Sequence, residues 1–162
     1  NRINSPKYLK PGVGDGGACH IRDNTAMSHL AEKTGLSFNI FESFLSAREK
    51  HMEWLANLAK DESKSARLPI VILGKAFKPE TNIETGSCAI LLANILKAEG
   101  TQFTHWGLDY PKKLPVAVYI LATQHQIYTT LPYPKRSVII DPHRYINKIE
   151  GVKIISIGGK VE

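Results

Sequence analysis

Hydrophobic and polar positions divide the chain into two stretches with different periods. Up to about residue 60, apolar side chains recur three and four residues apart, the spacing of helices with one buried face. Ala26, Met27, Leu30 and Ala31 share a face of a first helix that begins at Asp23, a suitable N-cap, and stops at Gly35. Phe41, Phe44, Leu45, Met52, Leu55 and Leu58 mark a second helix from Asn39 to Lys60, with Glu42, Glu49, Lys50 and Glu53 opposite. His51 lies among these charges and reads as a solvated helix histidine. Asp61-Glu62-Ser63-Lys64-Ser65 has no period and reads as a break between two pieces. Residues 1–12, with Pro6 and Pro11, read as extended chain or loop.

Beyond the break the pattern changes. Leu68-Pro69-Ile70-Val71-Ile72-Leu73 is nearly continuous and apolar, as in a strand buried on both faces, and Gly74 ends it. A helix is expected from Thr85 to Ala98, closed by Gly100. Further strands are expected over Gln102–Trp106, Val116–Ala122, Val138–Asp141 and Lys153–Ile157. Strand, helix and strand in alternation predict a parallel sheet with right-handed crossovers. The fold class is therefore α/β: a helical segment, residues 1–62, followed by a Rossmann-like parallel-sheet domain, residues 66–162.

Composition narrows the class. The chain has 162 residues, 43% of them hydrophobic, which is enough for a core. It has two cysteines, Cys19 and Cys88, too few for a disulfide scaffold, so a reducing cytoplasm is the expected compartment. No apolar run approaches the ~20 residues that span a bilayer, and there is no signal-like segment near the start. The sequence opens on Asn1 rather than Met, as expected if residues have been removed or if it is part of a longer protein. Net charge is +6 with a pI of about 9.3. The basic residues are dispersed and no zinc-finger spacing or RNA-binding aromatic signature is present, so neither nucleic acid nor a membrane is an expected partner.

Candidate chemistry concentrates at Gly14-Asp15-Gly16-Gly17-Ala18-Cys19-His20-Ile21-Arg22-Asp23. Glycines let a backbone fold tightly against a ligand. A thiol between such a loop and a helix N-terminus sits where the helix dipole favours the nucleophilic thiolate. Cys19 therefore reads either as a covalent catalyst or as a small buried hydrophobe. The turn after the first strand, Gly74-Lys75-Ala76-Phe77-Lys78-Pro79, is neither G-x-G-x-x-G nor a P-loop. Lys75 and Lys78 place two cations there, within reach of phosphates or simply in solvent. No metal-ligand spacing is found.

Three segments, in order, resemble the UDP-glucose/GDP-mannose dehydrogenase family. Tyr8-Leu9-Lys10-Pro11-Gly12-Val13-Gly14 to Asp23 resembles the family's substrate loop and catalytic-cysteine motif, G-x-G-G-x-C-x-P-K-D. Ile72-Leu73-Gly74-Lys75-Ala76-Phe77-Lys78-Pro79-Glu80-Thr81 is similar to its L-G-x-A-F-K-x-x-T. Val138-Ile139-Ile140-Asp141-Pro142-His143-Arg144-Tyr145 is similar to its late strand ending in Asp-x-x-Arg or Asp-x-x-Asn. The resemblance implies oxidation of a sugar C6 alcohol to a carboxylate in two steps that use NAD, as in polysaccharide biosynthesis. It implies Cys19 as the nucleophile that forms a thiohemiacetal and then a thioester, and Asp23 as the carboxylate that orders water. Gly14, Gly16 and Gly17 would admit the nucleotide-sugar, a UDP-sugar being favoured. Tyr8, Leu9 and Lys10 would line its pocket, and Lys78 and Arg144 would meet it.

The chain departs from the pattern in several places. Ile21-Arg22 replaces Pro-Lys, and Thr85 stands where an arginine that meets NAD phosphates is expected. The segment from Lys97 to Val116 is short. The family's N-terminal Rossmann domain, with its G-x-G-x-x-G, and the first half of its central helical domain are not in the sequence. The expectation is the C-terminal portion of such an enzyme, dimeric through its long central helix. A non-catalytic nucleotide-sugar-binding or assembly module is the alternative.

Overall fold

Successive residues of a strand face opposite sides of a sheet, and that alternation organises the core. The computed structural model describes residues 11–14 and 16–158. Within them one parallel sheet contains β1 (Ile70–Leu73), β2 (Phe103–Trp106), β3 (Val118–Leu121), β4 (Val138–Asp141) and β5 (Lys153–Ser156), in the order β2-β1-β3-β4-β5. Ile70, Ile72, Val118, Ile120, Val138 and Ile140 pack with Met52, Leu55, Leu92 and Leu96 of the helices. Val71, Leu73, Tyr119, Leu121 and Ile139 form a second core with Leu114, Tyr128 and Tyr133. β1, β3 and β4 are buried along their whole length, as their unbroken apolar runs predict. The expected α/β class is the one observed.

The helices depart from their expected limits. α1 runs Ala18–Lys33, five residues earlier than expected, because the chain enters the helix directly from Gly17. Asp23 is thus in its second turn and is not its N-cap. Met27 and Leu30, expected on a buried face, are exposed, whereas Ala31 is buried. α1 ends as the sequence predicts: Gly35 takes a left-handed conformation and the Leu36 amide donates to the Ala31 carbonyl.

α2 runs Ile40–Ala66, capped by Asn39, whose side chain accepts from the Glu42 amide. The expected break at residues 61–65 is helical instead. Glu62 meets Lys153 of β5 at 2.7 and 2.9 Å, and Ser63 Oγ donates to the Leu68 carbonyl at 2.6 Å. Lys60 pairs with Glu99 at 2.6 Å. These partners lie beyond the helix, so local composition does not reveal them. Arg67, left-handed at φ 56°, ends the helix.

α3 is Cys88–Ala98, capped by Ser87 Oγ on the Ala89 amide, and starts three residues later than expected. It is the sole α-helical link between described strands. A 3-10 helix, Gln126–Thr130, which the apolar pattern does not indicate, lies between β3 and β4. The face opposite the helices is instead closed by irregular chain anchored through tyrosines. Tyr128 donates to the Gly107 carbonyl at 2.8 Å, Tyr133 to the Tyr128 carbonyl at 3.0 Å, and Tyr119 to the Pro115 carbonyl. Burial pushes the Tyr119 phenol up to about 12 and raises the other two as well.

The strand order places a topological switch point between β1 and β3, where ligands of such sheets bind outside the carboxyl ends. Here the two strand ends touch. Gly74 has φ 102°, and a Cβ on it would lie 2.4 Å from Thr123 Cβ. Thr123 Oγ donates to the Ala76 carbonyl at 2.7 Å. Among the described residues no helix is long and apolar enough to cross a membrane.

Candidate active site

The glycine loop, residues 11–17, is gripped from several elements. On the α2 side, His51 Nε2 lies 3.3 Å from the Gly12 carbonyl and its ring stacks on Trp54. His51 is therefore a half-buried strut and not the solvated residue expected. On the sheet side, a Cβ on Gly12 would lie 3.3 Å from His143 Nδ1, and one on Gly16 would lie 3.3 Å from the Phe77 carbonyl oxygen. Gly17, at φ 98°, lies against the Phe77 ring, which a Cβ there would meet at 3.2 Å. Val13 inserts into the helix-side core. The three segments singled out in the sequence thus converge in space.

Gly86 locks the arrangement. The Gly17 amide donates to the Gly86 carbonyl at 3.1 Å, and Arg48 Nη2 donates to the same oxygen at 3.1 Å. Gly86 has φ 73°, and any Cβ on it would sit 2.4 Å from the Gly17 carbonyl carbon. Only glycine admits this contact without a shift of backbone. Neither Arg48 nor Gly86 stands out in the sequence. The one available signal is a glycine just ahead of the N-capping Ser87.

This grip presents Cys19 at the second position of α1, where backbone amides lack intrahelical partners. Cys19 is exposed and Cys88 is buried, so the reading of Cys19 as a buried hydrophobe is overturned. Because the helix starts at Ala18, Cys19, Arg22 and Asp23 fall on one face, three and four residues apart. Arg22 Nε bonds Asp23 Oδ1 at 2.7 Å. That hydrogen bond lowers the Asp23 pKa and raises that of Arg22, one helical turn from the thiol. A cleft of about 510 Å³ opens between α1 and α2, walled by Gly14, His20, Asn24, Phe44, Arg48 and His51.

The remaining expected residues are placed as follows. Lys78 Nζ lies 5.3 Å from the Phe77 ring centroid, a cation–π distance, on the loop that touches Gly17. Arg144 has φ 57°, and its Nη1 reaches the Gly158 carbonyl at 3.5 Å. Asp141, fully buried, organises that turn: its carboxylate accepts the amides of His143, Arg144, Tyr145 and Ile146 at 2.8–3.0 Å. Burial holds the His143 imidazole below its ordinary pKa. Thr85 is exposed in the turn before Gly86. Tyr8, Leu9, Lys10 and Asp15 lie outside the described residues. Among the described residues no group of His, Cys, Asp and Glu could hold a metal ion.

The turn after β1 does not form a phosphate cradle. The Gly74 amide donates to the Trp106 carbonyl and the Phe77 amide to the Ile83 carbonyl. Lys75 shares its crevice with Glu84 and Asp109.

Two curated UDP-glucose 6-dehydrogenases of Bacillus subtilis (strain 168) match this chain. TuaD is 31% identical over 124 residues, which are 76% of this chain and 26% of TuaD. YwqF is 29% identical over 98 residues, 60% of this chain and 22% of YwqF. The chain is a relative of the nucleotide-sugar dehydrogenases. It spans about a quarter of the length of these curated relatives. No family model matches it. Solved structures share the fold: a UDP-glucose dehydrogenase from Pyrobaculum islandicum has a TM-score of 0.76 at 24% identity, over 96% of this chain and 40% of that one. A UDP-D-ManNAc dehydrogenase from Pyrococcus horikoshii gives 0.74 at 20% identity, over 91% and 40%. A GDP-mannose dehydrogenase from Pseudomonas aeruginosa gives 0.71 at 17% identity, over 93% and 41%.

Proposed function

We propose that this chain is the C-terminal portion of a nucleotide-sugar 6-dehydrogenase, in which Cys19 attacks the C6 carbon of a UDP-sugar on its way to a uronate. One observation carries this reading: the glycine loop that presents Cys19 is clamped against the Phe77-Lys78 loop and against His143. In this reading the Cys19 sulfur adds to the C6 aldehyde to give a thiohemiacetal. Loss of a hydride, which the cofactor of this class would accept, leaves a thioester. Water then releases the acid, with the sulfur departing as thiolate. Asp23, held ionised by Arg22, orders that water. Gly14, Gly16 and Gly17 allow close approach of the ligand, Lys78 and Arg144 bear on its charge, and Tyr8, Leu9 and Lys10 complete its pocket.

NAD is the cofactor that this class implies, and when bound it would accept the hydrides. The described residues do not fit it: the Gly74 and Phe77 amides of the β1 turn are engaged, Thr85 brings no cation, and carboxylates flank Lys75. No step is therefore assigned to NAD on this chain. Residues 1–62 would belong to a central helical domain and residues 66–162 to the sugar-nucleotide domain, in a cytoplasmic homodimer paired through α2. The exposure of Phe44 and Trp54 on α2 supports that pairing.

The test is Cys19→Ser in the longest natural chain, with calorimetric titration of UDP-sugars beside an assay of acid formation. Binding should persist and acid formation should vanish; retained turnover would overturn the covalent role. The poor fit to NAD favours a second reading, a nucleotide-sugar-binding or assembly module without chemistry. Tight binding by the unaltered protein with no NADH produced would select it.

A further inference from the structure

The two ends of the parallel sheet carry opposite charge. At the carboxyl ends, Glu80, Glu84 and Asp109 line a crevice whose one ammonium is Lys75. The amino ends gather basic residues that stand far apart in sequence. Main-chain bonds extend the strand order to this rim. The Val118 amide donates to the Pro69 carbonyl at 2.9 Å, the Val138 amide to that of Ala117 at 3.0 Å, and the Arg136 amide to that of Gly151 at 2.7 Å. The residues leading into β1, β3 and β4 therefore lie side by side, about 4.8 Å apart from one strand to the next. Arg67, Lys113 and Arg136 are exposed there, as is Lys64 in the last turn of α2.

Little offsets this charge. Of the acids at the same end, Glu62 is held by Lys153 at 2.7 Å, Glu99 by Lys60 at 2.6 Å and Glu150 by Lys135 at 3.1 Å. Asp61 stands about 9 Å back along α2 from Arg67. Lys64, Arg67, Lys113 and Arg136 make no ion pair with any described residue.

The backbone is the second sign. Arg67 and Arg136 are both left-handed, at φ 56° and 71°. Glycine takes this conformation without strain and commonly follows a helix in it. At the end of α2 and ahead of β4 a glycine would thus serve the fold better than an arginine. Strained backbone of this kind clusters where side chains are used. Here it presents two guanidinium forks, which match carboxylates two bonds at a time.

Exposed Pro69, Pro115 and Val116 lie between the two arginines and form an apolar floor. A strand of nucleic acid would need aromatic platforms. The one aromatic residue in segments 64–69, 112–117 and 132–137 is Tyr133, and it is buried. We infer that this rim docks an acidic polypeptide segment, whose carboxylates meet Arg67 and Arg136 across the floor of Pro115 and Val116. The inference does not rest on the chemistry of Cys19.

The test is a fluorescence-anisotropy titration of a labelled glutamate-rich dodecapeptide with the whole chain at low salt. Binding should saturate with a Kd below about 1 mM and weaken as salt is added. Arg67→Gly and Arg136→Gly should each weaken it about fivefold, whereas Lys33→Gln, an equal change of charge on α1, should alter it less than about twofold. Both glycine variants should keep or raise the urea midpoint, because relief of the left-handed backbone offsets the added freedom of the unfolded chain. Cys19→Ser should bind the peptide like the parent, so failure of the covalent reading would leave this result unchanged. No saturable binding, equal effects of the three charge changes, or a lower urea midpoint in both glycine variants would overturn the inference. Tighter binding of an oligothymidylate of the same length, or of phosphatidylserine vesicles, would do so as well.

Discussion

The sheet and the α1–α2 hairpin treat their apolar residues in opposite ways. Every side chain of β1, β3 and β4 is buried, whereas the hairpin leaves Phe38, Phe44, Leu36 and Trp54 in water, Phe38 at 66% exposure. Apolar residues in the first region hold up the fold; in the second they form a surface. The glycine loop lies on the border and is gripped from both sides, by His51 of the hairpin and by Phe77, Gly86 and His143 of the sheet region, with Arg48 of the hairpin bonded to the Gly86 carbonyl. A loop so placed takes its geometry from the docking of two unlike regions and not from its own sequence.

The contrast is open to direct attack. Ile120→Ala, in the middle of β3, should cost about 4 kcal/mol in urea denaturation, since it opens a cavity between two close-packed layers. Asp141→Ala should cost roughly 3 kcal/mol by the same measurement, because four part-buried amides lose their one shared, fully buried acceptor. Gly86→Ala should cost about 2 kcal/mol through its left-handed backbone and its contact with Gly17. The accompanying sign would be faster hydrogen exchange of the Gly17 amide, with the amides of β3 unchanged.

A milder effect is expected from pH. Burial holds His105, His125 and His143 below their ordinary pKa. The unfolded chain therefore takes up protons first as pH falls, and stability rises with pH in that range. The urea midpoint should be constant above the ordinary histidine value, about 6.5, and fall below it. A midpoint that rose on acidification would contradict the buried placement of these rings. The smallest effect belongs to the hairpin: Phe44→Ser should change stability by no more than about 0.5 kcal/mol. A loss comparable to that of Ile120→Ala would mean that the hairpin face is packed in solution.

The legibility of the molecule followed the same division. The strands were readable because continuous apolar runs have few other solutions, and Cys19 was readable because three glycines and a thiol form a rare local pattern. Arg48, Gly86, His51 and His143 were not, since an arginine or histidine on a polar helix face looks alike whether it grips a carbonyl or meets water. His125 follows a strand in an unremarkable loop, and its burial beside Tyr128 and the β1 turn belongs to the fold and not to its neighbours in sequence.

By itself the order of residues determined the period-two faces of the parallel sheet, the glycine stop of α1 and the thiol that follows the flexible loop. Tertiary structure alone decided that α1 begins at Ala18, which aligns Cys19 with Asp23, and that residues 61–65 remain helical. The physical reason is one of range. Turn chemistry and hydrophobic period act within a few residues, whereas Glu62 is held by a lysine 91 positions away and Gly17 by a carbonyl at Gly86.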